Sequence, residues 1–283
     1  MFKGKPKIIC YAKVPSHLFQ IAFITRDLEF SHSPKLYIDS TLYQSHKYEI
    51  HSFFKSWIIK EANEKKGFFA IILGNILSIV SLLKINVFTR LYTPAHNLPL
   101  PIIWHRGGSY RITLLEDGRY SYLQLKDNKL LHPDRWRKLL PYFTTIESDY
   151  LDEVVVDSSK LLDDLYATKK RVYFSFASLF SDDHLMAKLH DAGMIRKSYI
   201  NFDRCFIFGF FPDEKKLEEV LRKLTKVHSH ILVKLHPRQV LSNELNSICD
   251  FEKSLTPAEY ILHAADNSKV EVIGETSVAK KIN

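Results

Sequence analysis

The sequence predicts an α/β protein built on parallel sheets with helices on both faces. Short apolar runs alternate with segments of 10 to 16 residues that have helical apolar spacing. Several of the runs carry no polar break, as strands covered on both faces do. Prolines, glycines and capping residues separate them.

The chain opens with KIICYA (7–12) as a strand, VPS as a tight loop, and HLFQIAFITRDL (17–28) as a helix. YIDS (37–40) reads as the next strand, SFFKSWIIKEANEK (52–65) as an amphipathic helix, and GFFAIIL (67–73) as a buried parallel strand. TPAHNLPLP (93–101), with three prolines in nine residues, is a loop. IIW (102–104) and YRITLL (110–115) follow as strands, the second ending in Glu116-Asp117-Gly118.

The alternation resumes near residue 170. RVYFSF (171–176) is a strand, HLMAKLHDAG (184–193) a helix ending at Gly193, and RCFIFGF (204–210) a strand. DEKKLEEVLRKLTKVH (213–228) is a charged amphipathic helix and HILVKL (230–235) a strand. TPAEYILHAAD (256–266) is a helix with Pro257 in its first turn, and KVEVIG (269–274) a last strand before ETSVAKK. The segment from 119 to 169 is expected to lie between two such domains.

Length and composition fit this class. The 283 residues suffice for two domains, and 46% hydrophobic with 25% charged residues excludes a disordered or fibrous chain. Cys10, Cys205 and Cys249 stand alone, so they form neither a zinc pattern nor a disulfide frame and are read as small core residues of a protein in a reducing compartment. No secretory signal is evident at the N-terminus, and a cytoplasmic location is expected. FFAIILGNILSIVSLL (68–83) is uncharged, but it contains Gly74, Asn75, Ser78 and Ser81 and is short for a spanning helix. It is read as a strand, a turn and a core helix, with a peripheral membrane contact left open.

The net charge of +8 is uneven. Residues 1–150 hold 21 Lys and Arg against 12 Asp and Glu, whereas residues 151–283 hold 19 against 20. The first half should therefore attract an anionic partner, either lipid headgroups, an acidic glycan or nucleic acid. No zinc finger, GXXG loop or aromatic RNA-binding signature supports nucleic acid.

In open α/β sheets ligands sit beyond the carboxyl ends of strands, where three polar clusters fall. Glu116 and Asp117 before Gly118 make either a solvated turn or a general base. His236 follows a strand and is locked against Pro237; it either caps a carbonyl or donates to a leaving phosphate. Thr276 and Ser277 stand at an expected helix start, as N-caps or as a phosphate site, and both uses are compatible. Glu259 lies three residues after Thr256, in a capping box or placed to hold a ribose.

The order of these clusters resembles bacterial sialyltransferases. An acidic pair before glycine, a His-Pro after a strand, Pro257-Ala258-Glu259 and then Thr276-Ser277 are similar to glycosyltransferase family 52, the lipooligosaccharide sialyltransferases, and to the related bacterial polysialyltransferases. The opening IICYAKVPSHLFQIAFI is similar to the family's first strand and helix.

That resemblance implies a GT-B architecture, two Rossmann-like domains facing across a cleft. Residues 1–150 would receive the acceptor, and residues 151–283 the donor, CMP-sialic acid, with no metal or other cofactor. Carried over, Glu116 is the general base with Asp117 as fallback, and His236 assists departure of CMP. Thr276 and Ser277 hold its phosphate and Glu259 its ribose, and Gly118 and Pro237 are expected among the substrate-binding residues. Arg119, with Arg106 and Arg111, would meet an anionic glycan or glycolipid acceptor at the cytoplasmic face of the inner membrane.

Family members carry paired serines where this chain has Thr276-Ser277, and they continue through further helices beyond the position of Asn283. A shortened donor domain is thus expected. The resemblance leaves three alternatives beside transfer of a single sialic acid: extension of a polysialic acid chain, a non-catalytic nucleotide-binding relative, and, most remotely, a basic nucleic-acid-binding protein.

Overall fold

The computed structural model describes residues 6–30, 32–63, 72–73, 76, 80, 86–94, 99–107, 109–116, 152–156, 170–211, 213–236, 239, 247–265 and 267–274. The chain divides into two compact units at Leu185/Met186.

The first unit contains β1 (Lys7–Ala12), α1 (Pro15–Thr25), β2 (Lys35–Asp39), α2 (Ser40–Phe53) and β3 (Ile58–Ala62). It continues with β4 (Asn86–Pro94), α3 (Leu100–Gly107), β5 (Ser109–Leu115), β6 (Glu153–Val156), β7 (Lys170–Tyr173) and α4 (Phe176–Phe180). Its seven strands are all parallel and run β3-β2-β1-β4-β5-β6-β7.

Strand β1 is central, and Ile8 to Ala12 are all buried. Alternation along the strand sends Ile9 and Tyr11 to one face, where they join Tyr37, Ala62 and Leu91 under Ile102 and Ile103 of α3. Ile8, Cys10 and Ala12 turn to the other face and are equally covered. Burial on both faces is why KIICYA has no polar break after its first residue.

The strand expected at 102–104 is therefore part of a helix, α3, whose two isoleucines press onto the sheet. The helix expected at 52–65 is also replaced. The helix is α2, capped by the Asp39 side chain accepting from Thr41 N (3.0 Å), and 58–62 is the edge strand β3.

Two effects explain that difference. With only Leu42 and Ile50 buried, α2 shows almost no apolar stripe. The helical spacing of Phe53, Phe54 and Trp57 instead arises from a turn, in which Phe54 packs edge-on to Phe53 (4.7 Å) and to Trp57 (5.1 Å). Ile72 and Leu73, expected at the end of a buried strand, are helical and exposed, as are Ile76 and Val80. Among the described residues no helix is long and apolar enough to cross a membrane.

The boundary expected at residue 150 moves to Leu185/Met186 because β6 and β7 extend the first sheet. Glu153 fixes that extension. Its buried carboxylate accepts from Thr113 Oγ1 (2.9 Å) and pairs with Arg111 (3.4 Å), both on β5.

Helix α5 (Asp183–Asp191) spans the boundary, and the second unit then holds β8 (Arg204–Phe208), α6 (Glu214–Val227), β9 (Ile231–Lys234), β10 (Asp250–Phe251), α7 (Ala258–Ala264) and β11 (Val270–Ile273). These four strands are parallel, in the order β10-β9-β8-β11. Asp213 caps α6 by accepting from Lys215 N (3.1 Å) and Lys216 N (3.3 Å). The helix buries Leu217 and Leu221 against Phe206, Phe208, Ile231, Val233 and Phe251. Glu218–Arg222 (2.8 Å) and Glu219–Lys223 (2.7 Å) line its wet face. Cys10 and Cys205 are buried, and the half-buried Cys249 packs against the second core.

One titratable group in the first sheet has a measurable consequence. His105 of α3 shares a hydrogen bond with the Tyr37 hydroxyl (3.1 Å), and burial, then the charges of Lys35, Lys7 and Lys60, pull its pKa down to about 4. The folded protein keeps the imidazole neutral where the unfolded chain, near its ordinary value of about 6.5, takes up a proton. Stability from this group is thus complete above about 6.5 and is lost as pH falls toward 4. Urea midpoints should drop between pH 6.5 and 5 in the native protein and drop less steeply in His105→Gln.

Candidate functional site

Both sheets reverse their strand order between two neighbours. In the first sheet the chain leaves β1 toward β2 and β3 but leaves β4 toward β5, so the loops after β1 and β4 diverge. In the second sheet the strand order also reverses at β8, which has β9 on one side and β11 on the other. Divergent loops open a crevice at the carboxyl ends, and open α/β sheets bind ligands there.

In the first unit this edge is built from α1 and the end of β5. Pro15 starts the helix without needing an N–H partner, and Lys13 N donates to His17 Nδ1 (3.2 Å), which fixes the turn from β1 into α1. Gln20, one helical turn further on and buried, clamps the backbone of Glu116. Its Nε2 donates to Glu116 O (2.8 Å), and its Oε1 accepts from Glu116 N (2.9 Å).

Two hydrogen bonds to the backbone N–H and C=O of one residue fix the direction in which the chain leaves β5. Glu116 is half-buried and sits directly after the strand, as expected for a residue of the ligand edge. Asp117, Gly118 and Arg119 lie outside the described residues.

Arg111 is corrected: it stands in the first half of β5, several residues before the carboxyl end, and its guanidinium is held by Glu153. It is a structural cation rather than a neighbour of the proposed base. Arg106 belongs to the last turn of α3, and its side chain is outside the described set.

In the second unit Gly209 N donates to Ile273 O (2.8 Å), tying β8 to β11 where the order reverses. Gly274 then adopts φ +85, a left-handed conformation that glycine takes without strain, and its α-carbon faces Gly209 and Phe211. The loops after β8 and β9 are braced by Gln239. Its Oε1 accepts from Phe211 N (3.1 Å), and its own N–H donates to His236 O (2.8 Å).

The His236 ring meets Phe210 edge-on (5.8 Å). The structure thus gathers His236, Phe210, Phe211 and Gln239 at the carboxyl ends of β8 and β9. Pro237, Thr276 and Ser277 lie outside the described residues.

Glu259 occupies the first turn of α7 on the same edge, but the capping box expected with Thr256 is not formed. The N-cap is Pro257, and Thr256 is diverted: its hydroxyl accepts from Arg196 N (2.9 Å) and bonds Ser254 Oγ (2.6 Å).

The diversion belongs to a network that sequence reasoning missed. Glu252, buried directly after β10, accepts from Arg196 Nε (2.7 Å), Ser254 Oγ (2.6 Å) and Ser254 N (3.0 Å). Lys234, the last residue of β9, donates to Ser254 O (3.2 Å), and burial pulls its pKa down to about 8 despite the opposing charge of Glu252. The network ties β9, β10 and the start of α7 together, beneath the loop that carries His236. The only sequence signal was a pair of charged residues, Lys234 and Glu252, at the ends of apolar strands.

A cavity of about 680 Å3 in the first unit is lined by Phe23, Arg26, Ser178, Ser181 and Asp182, and by none of the candidates. Arg26 lies over the Phe23 ring (3.9 Å) and is paired with Asp182 (3.2 Å), so its cation is already engaged.

No protein-family model matches the chain, and no curated protein matches it. Among solved structures the chain is similar to S. aureus MnaA with UDP, at 12% identity and a TM-score of 0.46, over 98% of this chain and 71% of that one.

The clamp is testable. Gln20→Ala removes two hydrogen bonds to the backbone of Glu116 in a half-buried place, which should cost about 2 kcal/mol in urea denaturation. Gln20→Glu, which buries a carboxylate and sets an oxygen against the Glu116 carbonyl, should cost at least as much, and more at pH 8 than at pH 5.

Proposed function

We propose that this protein is an inverting, metal-independent glycosyltransferase that moves sialic acid from CMP-sialic acid to a terminal sugar of an anionic bacterial surface glycan, lipooligosaccharide or capsule. The reading is carried by one observation. Glu116, directly after β5, and His236, two residues beyond the end of β9, are the residues that the motif order singles out for proton transfer, and each lies at the carboxyl edge of a sheet with reversed strand order. A GT-B enzyme uses two parallel sheets, one for the acceptor and one for the nucleotide, and the presence of two such sheets supports the reading.

In this proposal the acceptor hydroxyl gives its proton to Glu116, or to Asp117, as its oxygen attacks the anomeric carbon of sialic acid. The bond from that carbon to the CMP phosphate breaks on the opposite face, and the configuration inverts. Negative charge gathers on the departing phosphate, where His236 donates and the hydroxyls of Thr276 and Ser277 bind; fixed donors aimed at that charge lower the barrier. Glu259, in the first turn of α7, accepts from the ribose hydroxyls. Gly118 and Pro237 set the loops, and Arg119 meets the acceptor. The excess of Lys and Arg in residues 1–150 favours an anionic acceptor and work at the cytoplasmic face of the inner membrane.

Calorimetry against CMP, UDP and GDP should show a preference for CMP. With CMP-sialic acid and a galactose- or sialic-acid-terminated acceptor, release of CMP should fall about 100-fold or more in Glu116→Gln and in His236→Ala, and Glu116→Gln should still bind CMP. Full activity in both variants would end the assignment. Product length on a sialylated primer separates single transfer from chain extension.

A further inference from the structure

The first sheet carries a second polar cluster, at the opposite end from the carboxyl edge. Lys7 and Lys35 are the first residues of β1 and β2, and Lys60 lies in the middle of β3. The strand register pairs Ile9 with Lys35, Lys35 with Ile58 and Tyr37 with Lys60. Lys7, Lys35 and Lys60 therefore run diagonally across three adjacent strands, each one strand over and two residues along from the last. With strands about 4.8 Å apart and about 3.3 Å per residue, successive α-carbons are about 8 Å apart.

Alternation puts all three on the face that carries Ile9, Tyr11 and Tyr37, the face covered by α3. His105 of α3 stands within electrostatic reach of all three ammoniums and is hydrogen-bonded to Tyr37, and Lys35 feels both other lysines. Among the described residues no carboxylate pairs with any of the three, although exposed carboxylates such as Glu61 are close in the chain.

Three cations held on one sheet face, with no carboxylate among the described residues paired to them, repel one another. A protein stabilises such a set by placing an anion between its members. A carboxylate brings one charge, whereas each phosphomonoester brings about two. Lysine tips on long flexible stems converge on phosphate oxygens as point charges, and the Tyr37 and His105 pair adds neutral polar groups.

We propose that Lys7, Lys35 and Lys60, with Tyr37 and His105 beside them, form a binding site for a paired-phosphate group, a pyrophosphate or two adjacent phosphomonoesters. The site is separate from the carboxyl edge and independent of the glycosyltransferase reading. Its ligand is a free diphosphate or a doubly phosphorylated headgroup, and the two sources share the chemistry that the lysines read.

The test uses the full chain and inorganic pyrophosphate in calorimetry, against sulfate and sodium chloride at matched ionic strength. Pyrophosphate should bind and the other two should not compete at equal concentration. Lys35→Gln should weaken binding about tenfold, the effect of losing one charge-assisted hydrogen bond. Lys60→Gln, at an exposed strand position that tolerates change, gives the same direction if Lys35→Gln fails to fold. Lys215→Gln on α6 in the other unit should bind as the native protein does.

An anion among the lysines also offsets the field on His105, so its imidazole resonance should titrate at higher pH when pyrophosphate is added, and not in Lys35→Gln. Phosphatidylcholine vesicles containing a phosphoinositide bisphosphate form the second arm: capture there, lost in Lys60→Gln, assigns the headgroup, and binding to pyrophosphate alone assigns the free diphosphate. Equal binding of sulfate and pyrophosphate, or unchanged binding in both lysine variants, overturns the site.

Discussion

Everything functional in this chain depends on a constraint of parallel sheets. Parallel neighbours cannot be joined by a tight turn, so each connection crosses over a face of the sheet and covers it. When the chain builds outward from β1 in one direction and then from β4 in the other, the crossovers part, and the loops at the carboxyl ends of those two strands are left without a common cover. In the second unit the strand order likewise reverses at β8, between β9 and β11. An edge open to a ligand is thus a by-product of strand order, present before any catalytic residue is chosen.

The protein then fixes its edges with buried polar side chains. Gln20 holds the peptide of Glu116 by two hydrogen bonds, Gln239 holds the loops after β8 and β9 to each other, and Glu252 gathers Arg196, Ser254 and, through Ser254, Lys234. Apolar packing determines where strands lie but has no directional preference at their ends. A hydrogen bond is directional, so a loop that must present a side chain at a set angle is tied by one. The same low-dielectric surroundings that strengthen these ties hold Lys234 near pKa 8, which makes the network both rigid and electrically unusual.

The candidate residues were legible because they are local. A carboxylate pair before glycine, or a histidine against a proline after an apolar run, is read from neighbours in the chain, and Glu116 stands directly after β5 and His236 two residues after β9. Their supports were not legible. Gln20 and Glu116 are 96 residues apart, Arg196 and Glu252 are 56 apart, and nothing in a single sequence couples such pairs. The polar residues His17 and Gln20 on an otherwise apolar helix were the one available hint. Thr256 illustrates the converse: its spacing to Glu259 fits a capping box, yet a stronger competitor, the network around Arg196 and Glu252, takes its hydroxyl.

By itself the sequence determined the α/β class, the central strands and the charged helix α6, because burial on two faces leaves unbroken apolar runs and burial on one leaves a periodic stripe. It also located the residues at the carboxyl ends of β5 and β9. Only the tertiary structure decided that α2 is a helix with almost no apolar face, that β3 is an edge strand, and that β6 and β7 belong to the first sheet through Glu153. At the margins of a sheet little surface is buried, so the local pattern fades, and pairing with a strand far away in the chain settles the outcome.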